Sequence, residues 1–99
     1  MPMYNAVHPG RILRSWMGED ITVSKLAEHL GVNRPQVSNI VNGKAGVSAA
    51  MAIKLAAAFP QTDARFWVNL QSNFELSNAL REKHPPIQPL RHEPVEVLA

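Results

Sequence analysis

The sequence predicts an all-α domain of five helices, on three observations. Apolar residues make up 45% of the chain, alanine is abundant, and alternating β-branched runs are scarce. Apolar positions recur at helical spacing, each stretch opening behind a Thr, Asn, Ser or proline signal. At 99 residues the chain can bury one core and not two.

Composition also bounds function. With no cysteine there is neither a disulfide framework nor a thiolate site. No apolar run approaches membrane length and no signal-peptide pattern opens the sequence, so no membrane partner and a cytoplasmic location are expected. A net charge of +2 does not argue for nucleic acid by itself. Its distribution says more: from Asn33 to Thr62 there is no Asp or Glu, while Arg34, Lys44 and Lys54 are present. A locally positive surface on a nearly neutral domain suits phosphate contact without indiscriminate binding.

Taken in order, Met1 to Val7 reads as an extended arm. A first helix is entered through Pro9, turns Ile12, Leu13, Trp16 and Met17 inward, and closes at Gly18. The second is capped by Thr22, carries Leu26, Ala27 and Leu30 at helical spacing, and ends at Gly31. In the third, Asn33 caps, Gln36 reaches back to complete a capping box, Pro35 occupies the first turn, and Asn42-Gly43 gives a left-handed exit. Val37, Ile40 and Val41 form its apolar stripe. Pro35, Ser38, Asn39 and Asn42 point the other way with Arg34 on the flank, and none of these is acidic. Such groups read base edges in a major groove, Asn with adenine and Arg with guanine, so this is a recognition helix by its chemistry.

Ser48 caps a fourth helix reaching Phe59, whose larger apolar groups are Met51, Ile53, Leu55 and Phe59. Its alanines, Ala52 and Ala56 to Ala58, imply close packing. Pro60 breaks it, and Thr62 is expected to cap a long fifth helix from Asp63 to about Lys83. Phe66, Trp67, Leu70, Phe74, Leu76 and Leu80 spread there over more than one stripe. That surplus predicts a second contact surface, a homodimer interface through Trp67, Leu70, Phe74 and Leu80. The alternative is that Trp67 and Phe74 close the chain's own core. Residues 1–84 are thus expected to form the domain, and 85–99, with prolines at 85, 86, 89 and 94, a flexible tail.

The pattern Thr-x-x-x-Leu-Ala-x-x-Leu-Gly-Val-x-x-x-x-Val-Ser-x-Ile-x-Asn-Gly-Lys, running from Thr22 to Lys44, resembles the helix-turn-helix of the Cro/phage-repressor (C1) class. The implied fold is a five-helix phage-repressor-like DNA-binding domain with a lengthened C-terminal helix. Two further blocks, His8-Pro9-Gly10 and Phe66-Trp67-Val68-Asn69-Leu70-Gln71, are similar to HigA-type antitoxins, also described as plasmid-maintenance antidote or virulence-associated proteins. Arg11 departs from the acidic residue usual after that glycine, which bears on partner contact there. The resemblance implies a repressor of its own operon, acting as a homodimer on double-stranded operator DNA, and a partner for a HigB-type toxin, an RNA-cleaving protein of the RelE kind. A free-standing regulator with the same fold and no toxin is the alternative.

On this reading Arg34, Pro35, Ser38 and Asn39 line the base-facing surface. Thr22, Val23 and Asn42 meet phosphates through helix-end amides and a side-chain amide. Lys44 either meets a phosphate through its charge or is a plain surface lysine. Four histidines (His8, His29, His84, His92) lack metal-ligand spacing, so no metal or cofactor is expected. No phosphate loop or catalytic constellation is visible, and no enzymatic role is expected.

Overall fold

The computed structural model describes residues 6–96; residues 1–5 of the expected arm and 97–99 of the tail lie outside the described residues. Five helices follow one another: α1 Pro9–Met17, α2 Val23–Leu30, α3 Arg34–Val41, α4 Ala49–Ala58 and α5 Ala64–Arg81.

Each helix starts on a side-chain cap. His8 Nδ1 accepts from the Gly10 N–H at 2.9 Å, Thr22 Oγ1 from Lys25 at 3.1 Å and Ser48 Oγ from Met51 at 3.1 Å. The capping box of α3 is formed in both directions: the Gln36 N–H donates to Asn33 Oδ1 at 2.9 Å, and the Asn33 N–H donates to Gln36 Oε1 at 3.2 Å. The fifth cap corrects an expectation. Asp63, not Thr62, caps α5, its Oδ1 accepting from the Phe66 N–H at 2.7 Å. The Thr62 hydroxyl is held elsewhere, donating to the Phe59 carbonyl at 2.7 Å and accepting from Trp67 Nε1 at 2.9 Å. Helix α5 also stops at Arg81, short of Lys83; Glu82 is already extended and Pro85 and Pro86 follow.

One core joins the helices. Leu13 and Met17, Leu26 and Ala27, Val37, Ile40 and Val41, Met51, Ala52 and Leu55, and Trp67 meet there, with Val47 and Phe59 from the loops. Helix α4 packs chiefly on α5 and α2 on α3, while α1 bridges α3 and α5. The alanine at Ala52 is completely buried, as close packing of α4 requires. Of the larger apolar groups of α4, Ile53 lies on the outer face and is 64% exposed.

The His8-Pro9-Gly10 motif acquires a structural reason. His8 caps, Pro9 fills the first turn, and a Cβ on Gly10 would lie 1.8 Å from the Ile40 carbonyl oxygen. Only glycine admits that crossing of α1 over the end of α3. The segment before α1 lies on α5: the Ala6 N–H donates to the buried Ser77 Oγ at 3.3 Å, and the His8 ring meets Phe74 edge-on at 4.7 Å. Beyond Arg81 the described residues are exposed and form neither helix nor strand. Among the described residues no helix is long and apolar enough to cross a membrane.

Candidate nucleic-acid interface

The turn between α2 and α3 is set by Gly31, whose φ is 73°. Its N–H donates to the Glu28 carbonyl at 3.2 Å and the Val32 N–H to the Ala27 carbonyl at 3.0 Å, closing α2 with a left-handed residue. Ala27 is buried between the helices, and Val37 and Ile40 anchor the inner face of α3. The opposite face is thereby held outward.

On that face Arg34, Pro35 and Asn39 are exposed and Ser38 is half-buried. Among the described residues the Arg34 guanidinium, the Asn39 amide and the Lys44 ammonium have no intramolecular partner. One hydrogen of the Asn42 amide is taken: Nδ2 donates it to Ser38 Oγ at 3.2 Å and keeps its second, and the Ser38 proton stays free to be donated outward. Behind α3 the chain doubles back, with Gly43 at φ 76° and the Lys44 and Ala45 N–H groups both donating to the Asn39 carbonyl, at 2.8 and 3.1 Å. Lys44 is thus tied by its backbone to the helix turn that carries Asn39.

At the start of α2 the first intrahelical bond runs from Leu26 N–H to the Thr22 carbonyl at 2.9 Å. The Val23 and Ser24 N–H groups precede it, with no acidic residue in that turn. They are donors suited to a phosphate oxygen, reinforced by the helix dipole. Val23 offers its amide only, since its side chain packs against the core.

The residues expected on a dimer surface separate. Trp67 is 0% exposed, its indole bonded to Thr62 and enclosed by its own core, so it has no surface to give a second subunit and that assignment is corrected. Leu70 and Phe74 are half-buried, and Leu80 is 47% exposed. Leu76, at 46%, joins it.

Two features of this region were not read from the sequence. A hollow of about 210 Å³ opens between Gln36, Asn39 and Ile40 of α3 and Ala45 and Gly46 of the following loop. The small residues flanking Lys44 were its only trace in the sequence. The other is Gln71 of α5, which donates to Glu75 and accepts from the backbone of that loop. Among the described residues no three His, Asp or Glu side chains gather into a metal-sized cluster.

Two helices joined through a left-handed glycine, the second presenting an outward Arg-Ser-Asn face, define a helix-turn-helix domain, and residues 19–67 match the helix-turn-helix family. More narrowly, the chain belongs to the HigA antitoxin family, together with the virulence-associated proteins. It is 43% identical over 76 residues to virulence-associated protein A′ of Dichelobacter nodosus, spanning 76% of this chain and 66% of that protein. Against antitoxin HigA-1 of Vibrio cholerae it is 42% identical over 73 residues, spanning 71% and 68%. The structure of Pseudomonas aeruginosa antitoxin HigA with the higBA promoter superposes with a TM-score of 0.74 at 44% identity, covering 78% of this chain and 85% of that one.

Proposed function

We propose that this chain is an operator-binding antitoxin: it represses its own operon as a homodimer on double-stranded DNA and neutralises a HigB-type, RelE-like toxin. It acts by binding and not by catalysis. The observation that carries the DNA reading is the outer face of α3, where the Arg34 and Asn39 side chains stand exposed beside Ser38, with no partner among the described residues. Arg34, Pro35, Ser38 and Asn39 meet base edges. Thr22, Val23 and Asn42 meet phosphates through backbone or amide groups, and Lys44 through its charge. The relative solved on a higBA promoter supports the same reading.

The homodimer follows from what one helix can read, which is only a few base pairs; two half-sites about 34 Å apart give useful specificity. Exposed Leu76 and Leu80, with the uncovered edges of Leu70 and Phe74, form the dimer surface of α5. Residues 85–99 lie outside the working domain. The toxin assignment is supported by family membership.

Footprinting on the DNA upstream of the chain's own gene tests the operator. A protected, dyad-symmetric site supports autorepression, and uniform weak protection counts against it. Co-expression with the product of the adjacent reading frame tests the toxin. A stable complex with growth rescue is expected; failure of every neighbouring product to co-purify would leave a free-standing regulator.

A further inference from the structure

Gln71 closes the Phe66–Gln71 motif, yet its side chain serves the loop behind the recognition helix. Its Oε1 accepts from the Val47 N–H at 2.8 Å, and its Nε2 donates to Glu75 Oε2 at 3.0 Å. The second bond fixes the carboxamide with its oxygen toward the loop. Gly46 packs on the same amide, where a Cβ would meet Gln71 Nε2 at 2.6 Å. The near half of the loop is tied to α3 through the Asn39 carbonyl, which accepts from Lys44 and Ala45 at 2.8 and 3.1 Å. The far half, at the buried Val47, is held from α5.

We propose that Gln71 is a positioning residue for DNA contact: it holds the Lys44–Ser48 loop where the Lys44 ammonium meets a phosphate, and so ties that contact to α5. The proposal rests on the operator-binding reading above. Among the described residues the Lys44 ammonium has no partner, so its reach to a phosphate depends on where its backbone is held. The Asn39 carbonyl of α3 holds that backbone directly, and Gln71 of α5 holds the same loop three residues on, at Val47. Glu75 acts at one remove, by orienting the Gln71 amide.

The test is operator binding by the full chain across a salt series, for wild type, Gln71→Met, Lys44→Ala and the double variant. Methionine keeps length and helix propensity but offers only a weak acceptor. Gln71→Met is expected to lose roughly tenfold in affinity and to lower the salt slope by about 1, as Lys44→Ala does. The double variant should be no weaker than Lys44→Ala alone, because one phosphate contact is lost once. Gly46→Ala reaches the same state by displacing the amide, and should match Gln71→Met without adding to it.

Wild-type binding by Gln71→Met overturns the proposal, as do additive losses with an unchanged salt slope. If circular dichroism shows Gln71→Met unfolded, Gly46→Ala takes its place against Lys44→Ala, read by the same criteria. A wild-type chain with no operator preference overturns the operator reading and this proposal together. A wild-type chain that binds, beside an unaffected Gln71→Met, overturns this proposal alone.

Discussion

Among the amides in and around α3, Asn39 is singled out by what the others are doing. Gln36 is bound into the capping box, and the Asn42 amide donates to Ser38. The Asn39 side chain is exposed and has no partner among the described residues, while its backbone carbonyl is fixed by the returning loop. A side chain so placed makes its hydrogen bonds to a base without first breaking others. Asn39→Ala should therefore cost about 1–3 kcal/mol on the cognate site while leaving non-specific binding nearly intact. Competition titrations against cognate and scrambled duplexes measure this, and equal weakening on both would refute the base-reading role. Lys44→Ala should behave oppositely, weakening both duplexes alike and lowering the salt slope by about 1.

At the scale of the element, the crossing of α1 over α3 is the least forgiving contact. The Gly10 position faces the Ile40 carbonyl with no room for a Cβ, and the two nearest atoms are both backbone. Gly10→Ala should cost about 1–3 kcal/mol, as overpacking does, and should shift the end of α3 with it. Denaturant unfolding measures the first effect. Operator affinity, falling more than the unfolded fraction explains, measures the second. The helices themselves were legible because caps are local: Thr22, Asn33 with Gln36, and Ser48 each announce a start within four residues. The fifth cap was misread because Thr62 and Asp63 are both competent. The choice is made by the Trp67 indole, a tertiary partner that takes the Thr62 hydroxyl. Trp67 itself was open for a related reason: next to Phe66, the periodicity of α5 does not say which of two adjacent stripes faces inward. Gln71 escaped notice because its partner Val47 lies 24 residues away.

At the scale of the whole molecule, the question is which surface brings two recognition faces together. Helix α5 turns Trp67, Leu70, Phe74 and Ser77 toward its own chain, whereas Leu76 and Leu80 are left 46% and 47% exposed. Phe66, at 37%, falls on the same flank nearer the start of the helix. Ile53 of α4 is a separate exposed group, beside Val68 and Arg65. These two surfaces can be told apart because Leu76, Leu80 and Ile53 all lie outside the core, so their substitution leaves the fold intact. Leu76→Glu combined with Leu80→Glu should give a folded monomer by sedimentation, with operator affinity lowered and half-site affinity kept. Removing residues 85–99 should leave the dimer unchanged. Buried apolar anchors commonly cost about 2 kcal/mol or more each when lost, and two carboxylates brought face to face add repulsion, so the loss should exceed a hundredfold in the dimer constant. A dimer that survives both glutamates but dissociates with Ile53→Asp would move the interface to the α4 side.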